Sequence, residues 1–201
     1  MTQSSAPATL IQHLYLTGYR GAGKSTVGKC LASILNWEWI DLDDRIEQTA
    51  RVSIKKIFER EGETGFRNRE SLALKLASAE SSAVISLGGG AVLRSENRDI
   101  IAASGRCVWL SVDADTVIAR LFLDATTRNR RPSLTTLTPA DEVRRVLADR
   151  EPIYRQTADL TIDAASRPAE QIAAEIAQWL SSDHALTYSK MPLPKGGSSS
   201  A

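Results

Sequence analysis

The residues best suited to chemistry form a short glycine-rich segment near the start of the chain. The segment, Gly18-Tyr19-Arg20-Gly21-Ala22-Gly23-Lys24-Ser25, satisfies the pattern G-x-x-x-x-G-K-[ST]. In this pattern the glycines let backbone N–H groups point at phosphate oxygens, the lysine reaches the β- and γ-phosphates, and the hydroxyl binds Mg²⁺. The segment, called the phosphate loop below, therefore predicts a nucleoside triphosphate site. Its expected nucleotide-binding residues are Gly21, Ala22, Gly23, Lys24, Ser25 and Thr26, with Ser25 also a metal ligand.

Carboxylates gather where a second apolar segment ends. Alternation along an extended chain puts Asp41 and Asp43 on one side, with Ile40 and Leu42 on the other. Phosphoryl transfer needs one carboxylate near the metal and another that positions and deprotonates the attacking hydroxyl. By position we expect Asp41 on the Mg²⁺ side and Asp43 at the substrate hydroxyl, with Asp44 as a helix cap.

A second glycine cluster, residues 88–90 (the glycine turn), follows the apolar segment 83–87. Ligands bind outside the carboxyl ends of strands in open α/β sheets, so this turn is expected on the same rim as the phosphate loop. A turn that needs positive φ accounts for one glycine well and for three less well. The cluster therefore favours a close approach of the backbone to a ligand.

Arginines form a third group of candidates. Arg67, at the start of one predicted helix, and Arg150, at the end of another, are either surface ion-pair residues or bidentate clamps for a substrate carboxylate. Residues 124–139 contain Arg128, Arg130 and Arg131 among few apolar side chains. This stretch is either an exposed loop or, as its length and arginine content favour, a mobile lid that closes over ATP and excludes water.

Alternating segments must position these residues. Apolar segments at 10–16, 37–42, 83–87, 107–112 and 160–162 predict strands. Helical spacing predicts a helix after the phosphate loop, one or two helices at 45–61, and others at 66–79, 100–103, 116–123, 140–150 and 168–180. Strands that alternate with helices indicate an α/β fold of three layers, with a parallel sheet covered on both faces. We expect one domain over residues 10–182, between a flexible N-terminus (1–9) and a flexible tail (183–201).

Composition excludes several classes of protein. With 42% apolar and 24% charged residues and a formal net charge of +1, the chain lacks the basic excess of a nucleic-acid-binding protein. Cys30 and Cys107 are far apart in sequence and predict buried, inert thiols, while His13 and His184 lie outside every motif and are expected to be structural or solvent-facing. No apolar run approaches the ~20 residues of a membrane span. We expect a cytoplasmic monomer.

Several segments in this order resemble the shikimate kinase family between residues 14 and 180. They are GYRGAGKST, IDLDD, GFRNRE, SLGGGA, RRPSL and DREPIYRQTAD. The resemblance implies a five-stranded parallel sheet of the P-loop, nucleoside monophosphate kinase type. It also implies Mg²⁺-dependent transfer of the γ-phosphoryl group of ATP to the 3-hydroxyl of shikimate, on the way to aromatic amino acids.

The resemblance also implies roles for individual residues. The residues implied to touch the substrate are Asp43, which activates the hydroxyl, Arg67 and Arg150, which hold the carboxylate, and Gly89, through its backbone. The residues implied on the nucleotide side are Lys24, Ser25, the lid arginine Arg131 and, in the adenine loop, Arg167. Asp43, Lys24 and Arg131 are the expected catalytic residues.

Three other functions remain as alternatives. A gluconate-type sugar-acid kinase would be expected to have an aspartate and histidine pair after the second strand, where this chain has Asp41-Leu42-Asp43-Asp44. A GTPase switch would carry an Asn-Lys-x-Asp segment, which is missing from the sequence. An inactive nucleotide-binding homologue would be expected to have lost the lysine, the aspartates or the lid arginines, and all of these are present.

Overall fold

The computed structural model of the protein describes residues 13–123 and 138–182. Strands and helices alternate along this part of the chain. The strands are β1 (His13–Thr17), β2 (Glu38–Asp41), β3 (Ala83–Ser86), β4 (Gly105–Ser111) and β5 (Leu160–Asp163). The helices are α1 (Lys24–Leu35), α2 (Leu42–Ala50), α3 (Ile54–Ala77), α4 (Ser95–Ser104), α5 (Ala114–Leu123), α6 (Pro139–Thr157) and α7 (Ala169–Ser182), with a 3₁₀ turn at Ala91–Leu93.

The strands form one five-stranded parallel sheet in the order β2-β3-β1-β4-β5. Successive residues of β1 face opposite sides of it, so that Leu14 and Leu16 belong to one apolar cluster and Tyr15 to another. The first cluster lies under α1 and α7, and the second lies under α2, α3 and α4. The predicted three-layer α/β/α arrangement is therefore confirmed.

Because all the strands are parallel, their carboxyl ends lie along one edge of the sheet. The phosphate loop follows β1, the glycine turn follows β3 and the acidic segment follows β2. The register pairs Asp41 at the end of β2 with Ser86 at the end of β3, and Ser86 with Leu16 of β1. The candidate site residues of these segments are thereby brought to the same edge.

Helix α6 corrects the sequence prediction at both of its ends. Thr138 caps the helix by accepting from the backbone N–H of Asp141, and Pro139 is its first residue, so neither belongs to the predicted lid. Arg150 does not end the helix, which continues through Pro152 to Thr157. A proline inside a helix costs about 3 kcal/mol. We attribute the continuation to the fully buried ring of Tyr154, whose burial keeps the last turns helical.

Helix α3 also differs from the prediction, which placed a break at residues 62–65 and Arg67 at a helix start. Only Gly62 departs from helical geometry, with φ 67° and ψ −172°, and the helix resumes directly after it. This region of φ/ψ space is open essentially to glycine alone. Arg67 therefore lies within α3, one turn beyond the break.

Some predictions concern residues that the structure does not describe. They are the N-terminal residues 1–12, most of the lid with Arg131 (124–137), and the tail with His184 (183–201). Within the described residues, the helices include none with the length and apolarity to cross a membrane.

Candidate active site

The phosphate loop has the backbone geometry that its glycines predict. Gly18, Gly21 and Gly23 all have positive φ, and a Cβ on Gly18 would lie 2.6 Å from the carbonyl oxygen of Leu110. Lys24, the first residue of α1, donates from Nζ to the carbonyls of Gly18 and Tyr19, both at 2.9 Å. The ammonium group is thus held at the loop itself, where the predicted phosphates would lie.

Ser86, which the sequence analysis missed, fixes the start of α1 against the sheet. Its hydroxyl donates to the carbonyl of Lys24 at 3.2 Å and accepts from Trp39 Nε1 at 3.1 Å. A Cβ on Gly28 would lie 2.8 Å from this hydroxyl oxygen, so the helix approaches β2 and β3 closely. Ser86 therefore couples the position of Lys24 to the central strands.

Ser25 and Asp41 form a pair beside the phosphate loop. Ser25 Oγ donates to Asp41 Oδ2 at 2.8 Å, although the two residues belong to different βα units. Burial raises the pKa of the Asp41 carboxyl and the hydrogen bond from Ser25 lowers it, while the charges of Asp43 and Asp44 raise it further. A carboxylate beside other carboxylates favours a bound cation.

Ser25 Oγ and Asp41 Oδ2 fit a magnesium ion of the kind expected in a kinase. The described residues contain no group of three or more His, Cys, Asp or Glu side chains that would hold a metal alone. Mg²⁺ in such sites is usually held by one or two protein oxygens, with phosphates and water as the other ligands. The arrangement of Ser25 and Asp41 therefore fits Mg²⁺ that is bound together with a nucleotide.

The acidic strand end is corrected in its details. Asp41, not Asp44, caps α2, because its side chain accepts from the backbone N–H groups of Asp43 and Asp44. Asp43 lies in the first turn of α2, so the two aspartates do not alternate along one extended segment as predicted. The cap shortens the strand because it turns the chain into a helix directly after Asp41.

The glycine turn is crowded by side chains and by the phosphate loop. A Cβ on Gly90 would overlap with the guanidinium of Arg67, and one on Gly89 would lie 3.3 Å from the carbonyl oxygen of Gly18. None of the three glycines has positive φ, so the alternative of a turn that needs it is wrong. Close approach is the reason for Gly89 and Gly90, although the contact with a ligand stays a prediction.

Arg150 meets the glycine turn from the other side. Its Nη1 donates to the carbonyl of Gly89 at 3.1 Å, and Tyr154 Oη donates to the same oxygen at 2.5 Å. Arg67 of α3 and Arg150 of α6 thus lie against two adjacent glycines of the turn, Gly90 and Gly89. This juxtaposition favours the clamp over the alternative of two unrelated surface ion pairs.

Arg67 is buried and held by two glutamates of its own helix. Nη1 donates to Glu70 Oε2 at 2.6 Å, and Nε and Nη2 donate to Glu63 Oε1 at 3.3 and 3.1 Å. The Glu70 side chain is 0% exposed, whereas that of Glu63 is 55% exposed. Burial alone would lower the pKa of Arg67, but the charge of Glu70 and its hydrogen bond raise it. The guanidinium therefore keeps its positive charge inside the protein.

Arg120 of α5, also missed by the sequence analysis, joins the phosphate loop to the loop after β5. Its guanidinium donates to the carbonyl of Gly21 at 3.1 Å and to those of Ala164 and Ala165 at 2.8 and 2.6 Å. Arg167, predicted at the adenine, instead pairs with Glu175 of α7. Its contact with a nucleotide stays a prediction.

Helical spacing is the signal that would have found the missed partners. Glu63 and Glu70 lie four positions before and three after Arg67, and Tyr154 lies four after Arg150. Such spacings place side chains on one face of a helix. The Arg67–Glu70 spacing lies within the predicted helix 66–79. The Glu63–Arg67 and Arg150–Tyr154 spacings become informative only when the helices are known to include residue 63 and to continue across Pro152.

The cysteines and His13 lie away from this cluster. Cys107 is buried as predicted, and burial raises the pKa of its thiol, whereas Cys30 is only half-buried. His13 is fully buried, with Nε2 at 3.2 Å from the carbonyl of Ser78, which confirms a structural role.

Comparisons with known proteins show the family of the chain. A family model described as shikimate kinase matches residues 20–181. A protein named shikimate kinase from Rhodopirellula baltica is 54% identical over 165 residues, which are 82% of this chain and 88% of that protein. One from Neisseria gonorrhoeae is 43% identical and covers 76% of this chain and 88% of its own length.

A solved structure, the shikimate kinase from Acinetobacter baumannii in complex with shikimate, superposes with a TM-score of 0.80 at 34% identity. The alignment covers 89% of this chain and 99% of that chain. The family-model match contains the phosphate loop from Arg20 onward, the acidic segment, the glycine turn and both arginines. The chain belongs to the shikimate kinase family.

Proposed function

We propose that the protein transfers the γ-phosphoryl group of ATP to the 3-hydroxyl of shikimate and requires Mg²⁺. The observation that carries the proposal is the meeting of two anion-binding arrangements at one edge of the sheet. The phosphate loop is one, and the guanidinium pair of Arg67 and Arg150 around the glycine turn is the other. A substrate that carries a carboxylate and a hydroxyl suits the second arrangement.

On the nucleotide side, the backbone of the phosphate loop binds phosphate oxygens and Lys24 neutralises their charge. Ser25 and Asp41 would hold Mg²⁺, which would neutralise charge on the phosphates. Thr26 and Arg167 are nucleotide-binding residues in this proposal, and Arg131 of the lid completes the nucleotide site from outside the described residues.

On the acceptor side, Arg67 and Arg150 bind the substrate carboxylate, and the Gly89 backbone contacts the substrate. The carbonyl of Gly89 already accepts from Arg150 and Tyr154, so its N–H is the backbone group left for a ligand. Asp43, in the first turn of α2 and two positions after Asp41, orients the hydroxyl.

The transfer itself exchanges one P–O bond for another. The hydroxyl oxygen forms a bond to the γ-phosphorus while the bond from that phosphorus to the β,γ-bridging oxygen breaks. Asp43 accepts the hydroxyl proton, and ADP leaves with the electron pair of the broken bond. Little covalent chemistry falls to the protein, so positioning and charge neutralisation supply most of the rate.

A coupled assay of ADP release tests the proposal, with ATP and Mg²⁺ and either shikimate, gluconate or no acceptor. We expect turnover with shikimate alone, and its loss on addition of EDTA with recovery on added Mg²⁺. Turnover with gluconate alone would identify a sugar-acid kinase. ATP binding without turnover on either acceptor would identify an inactive nucleotide-binding homologue.

A further inference from the structure

Two side chains of α6 converge on a single backbone carbonyl. Tyr154 Oη and Arg150 Nη1 both donate to the oxygen of Gly89, at 2.5 and 3.1 Å. Because the donors lie four positions apart on one helix, their side chains share a face. A carbonyl oxygen has two lone pairs, and these donors use both.

The surroundings of the Tyr154 hydroxyl favour donation of a hydrogen bond over ionisation. The residue is fully buried, and its ring packs against Trp109 with centroids 5.9 Å apart. Burial raises the pKa of Tyr154 to about 12, although the charge of Arg150 lowers it. The phenol therefore keeps its proton at neutral pH.

Gly89 lies between the two halves of the site, so a contact that fixes its position affects both of them. On one side it lies against the phosphate loop, since a Cβ on it would be 3.3 Å from Gly18 O and 3.6 Å from Arg20 N. On the other side its neighbour Gly90 touches the guanidinium of Arg67. A shift of this peptide would change the spacing between the two arginines of the proposed carboxylate clamp.

We therefore propose that Tyr154 is a positioning residue for the acceptor site, which acts by holding the Gly89 carbonyl jointly with Arg150. Its hydroxyl does not touch the acceptor; it sets the place of the Gly89 peptide and of the Arg150 guanidinium that does. The proposal rests on the proposed function, because the acceptor site it concerns is the one assigned there.

Tyr154→Phe tests the role, and Tyr15→Phe is a matched control. Tyr15 is also fully buried, its pKa is also raised to about 12, and its hydroxyl makes one hydrogen bond, to Ser104 Oγ at 2.7 Å. That bond lies near the start of β4, at the edge of the sheet opposite the site. Each variant thus loses one buried hydroxyl, but only one of them at the glycine turn.

We expect Tyr154→Phe to raise the KM for shikimate by about fivefold to tenfold, which is the range expected for one lost hydrogen bond. The KM for ATP should stay within about twofold, since the phosphate loop keeps its own contacts. Both variants should lower the thermal midpoint of unfolding by similar amounts, because each loses one buried hydroxyl. Tyr15→Phe should leave both KM values unchanged. Equal KM values for the two variants, or a Tyr154→Phe effect confined to the thermal midpoint, would overturn the positioning role.

A double-mutant cycle with Arg150→Ala checks the route through Gly89. If Tyr154 acts by way of Arg150, then Tyr154→Phe should raise the shikimate KM less in the Arg150→Ala background than in the wild type. Additive effects would contradict the shared carbonyl as the route. A wild-type enzyme without shikimate-dependent turnover would instead overturn the proposed function and, with it, this role. Turnover in the wild type together with identical tyrosine variants would overturn this role alone.

Discussion

Asp43 is the side chain on which turnover should depend most. Asp43→Asn keeps the size of the group but cannot accept a proton, so we expect kcat to fall by at least about 100-fold. The dissociation constant for ATP, measured by calorimetry, should stay within about twofold, because the proposed nucleotide contacts come from the phosphate loop. Asp44→Asn, next to it in the first turn of α2, is the control and should retain most activity. Near-normal turnover of Asp43→Asn would refute the role of Asp43 as the base that accepts the hydroxyl proton.

Glu63 should compete with the substrate for Arg67. It accepts from Arg67 Nε and Nη2, the two donors that a bidentate carboxylate would use. Because the Glu63 side chain is exposed, its displacement costs little free energy. We expect Glu63→Gln to lower the shikimate KM by about twofold to threefold with kcat unchanged.

Two further variants are compared with Glu63→Gln in the same assay. Arg67→Ala should raise the shikimate KM by at least about tenfold, since it removes the proposed charge-assisted contact with the substrate carboxylate. Glu61→Gln removes another glutamate of α3, paired with Arg69, and should leave kinetics unchanged. A higher KM in Glu63→Gln would show that Glu63 helps to bind the acceptor, and an Arg67→Ala effect confined to ATP would remove Arg67 from the acceptor site.

Asp41 should give stability a pH dependence of unusual sign. Burial raises its pKa, so the folded state favours the neutral acid and loses stability as pH rises through that pKa. Asn is as good a helix cap as Asp but does not ionise. The unfolding free energy of the wild type, relative to that of Asp41→Asn, should therefore increase as pH falls from 7 to about 4.

Asp113 supplies the control of opposite sign in the same urea titrations. Hydrogen bonds from the Thr116 backbone and hydroxyl lower its pKa, so the stability it contributes is present at neutral pH and lost as pH falls. The wild type should lose stability relative to Asp113→Asn on acidification. The same sign for both aspartates would contradict the raised pKa of Asp41.

Activity should fall in Asp41→Asn and recover in part at higher Mg²⁺.

At the scale of elements, Gly62 determines how α3 delivers Arg67. Gly62→Ala should cost about 1–3 kcal/mol of stability, because its φ/ψ values suit essentially glycine alone. Steric overlap plays no part, since nothing lies within 4 Å of a Cβ added there. Chemical denaturation measures the loss, with the exposed substitution Thr64→Ala expected within about 0.5 kcal/mol of wild type. A Gly62→Ala variant as stable as the wild type would show that the break is not needed.

Elements also explain why the sequence-based boundaries of two helices are wrong. Gly62 and Pro152 are ordinary helix-ending signals, and each predicts the end of a helix. The chain continues as helix at each because the residues beyond them, such as Phe66 and Tyr154, are fully buried. Tertiary packing outweighs a local penalty of about 1–3 kcal/mol, and local sequence does not reveal that packing.

For the whole molecule, we expect a monomer of 21.9 kDa with specific activity independent of concentration. The described residues of one chain supply the phosphate loop, the Ser25–Asp41 pair and the two arginines, so the site needs no second copy. Size-exclusion chromatography with light scattering measures the mass. A stable dimer whose activity falls on dilution would contradict the expectation.

Local sequence patterns are enough to predict the phosphate loop, the acidic strand end, the glycine turn and the parallel α/β fold. The patterns are glycine spacing, alternation in strands and helical periodicity. Parallel topology then requires that all strands end at one edge of the sheet. The segments that follow the strands can therefore be grouped into one candidate site from the sequence alone.

Which side chains meet within that site depends on the tertiary structure. The pairing of Ser25 with Asp41, the crowding of Arg67 against Gly90 and the shared carbonyl of Gly89 all join residues from different elements. Strand order and helix packing set such contacts, and they depend on burial summed over the whole core. A pattern read along a single segment contains no information about the segment that packs against it.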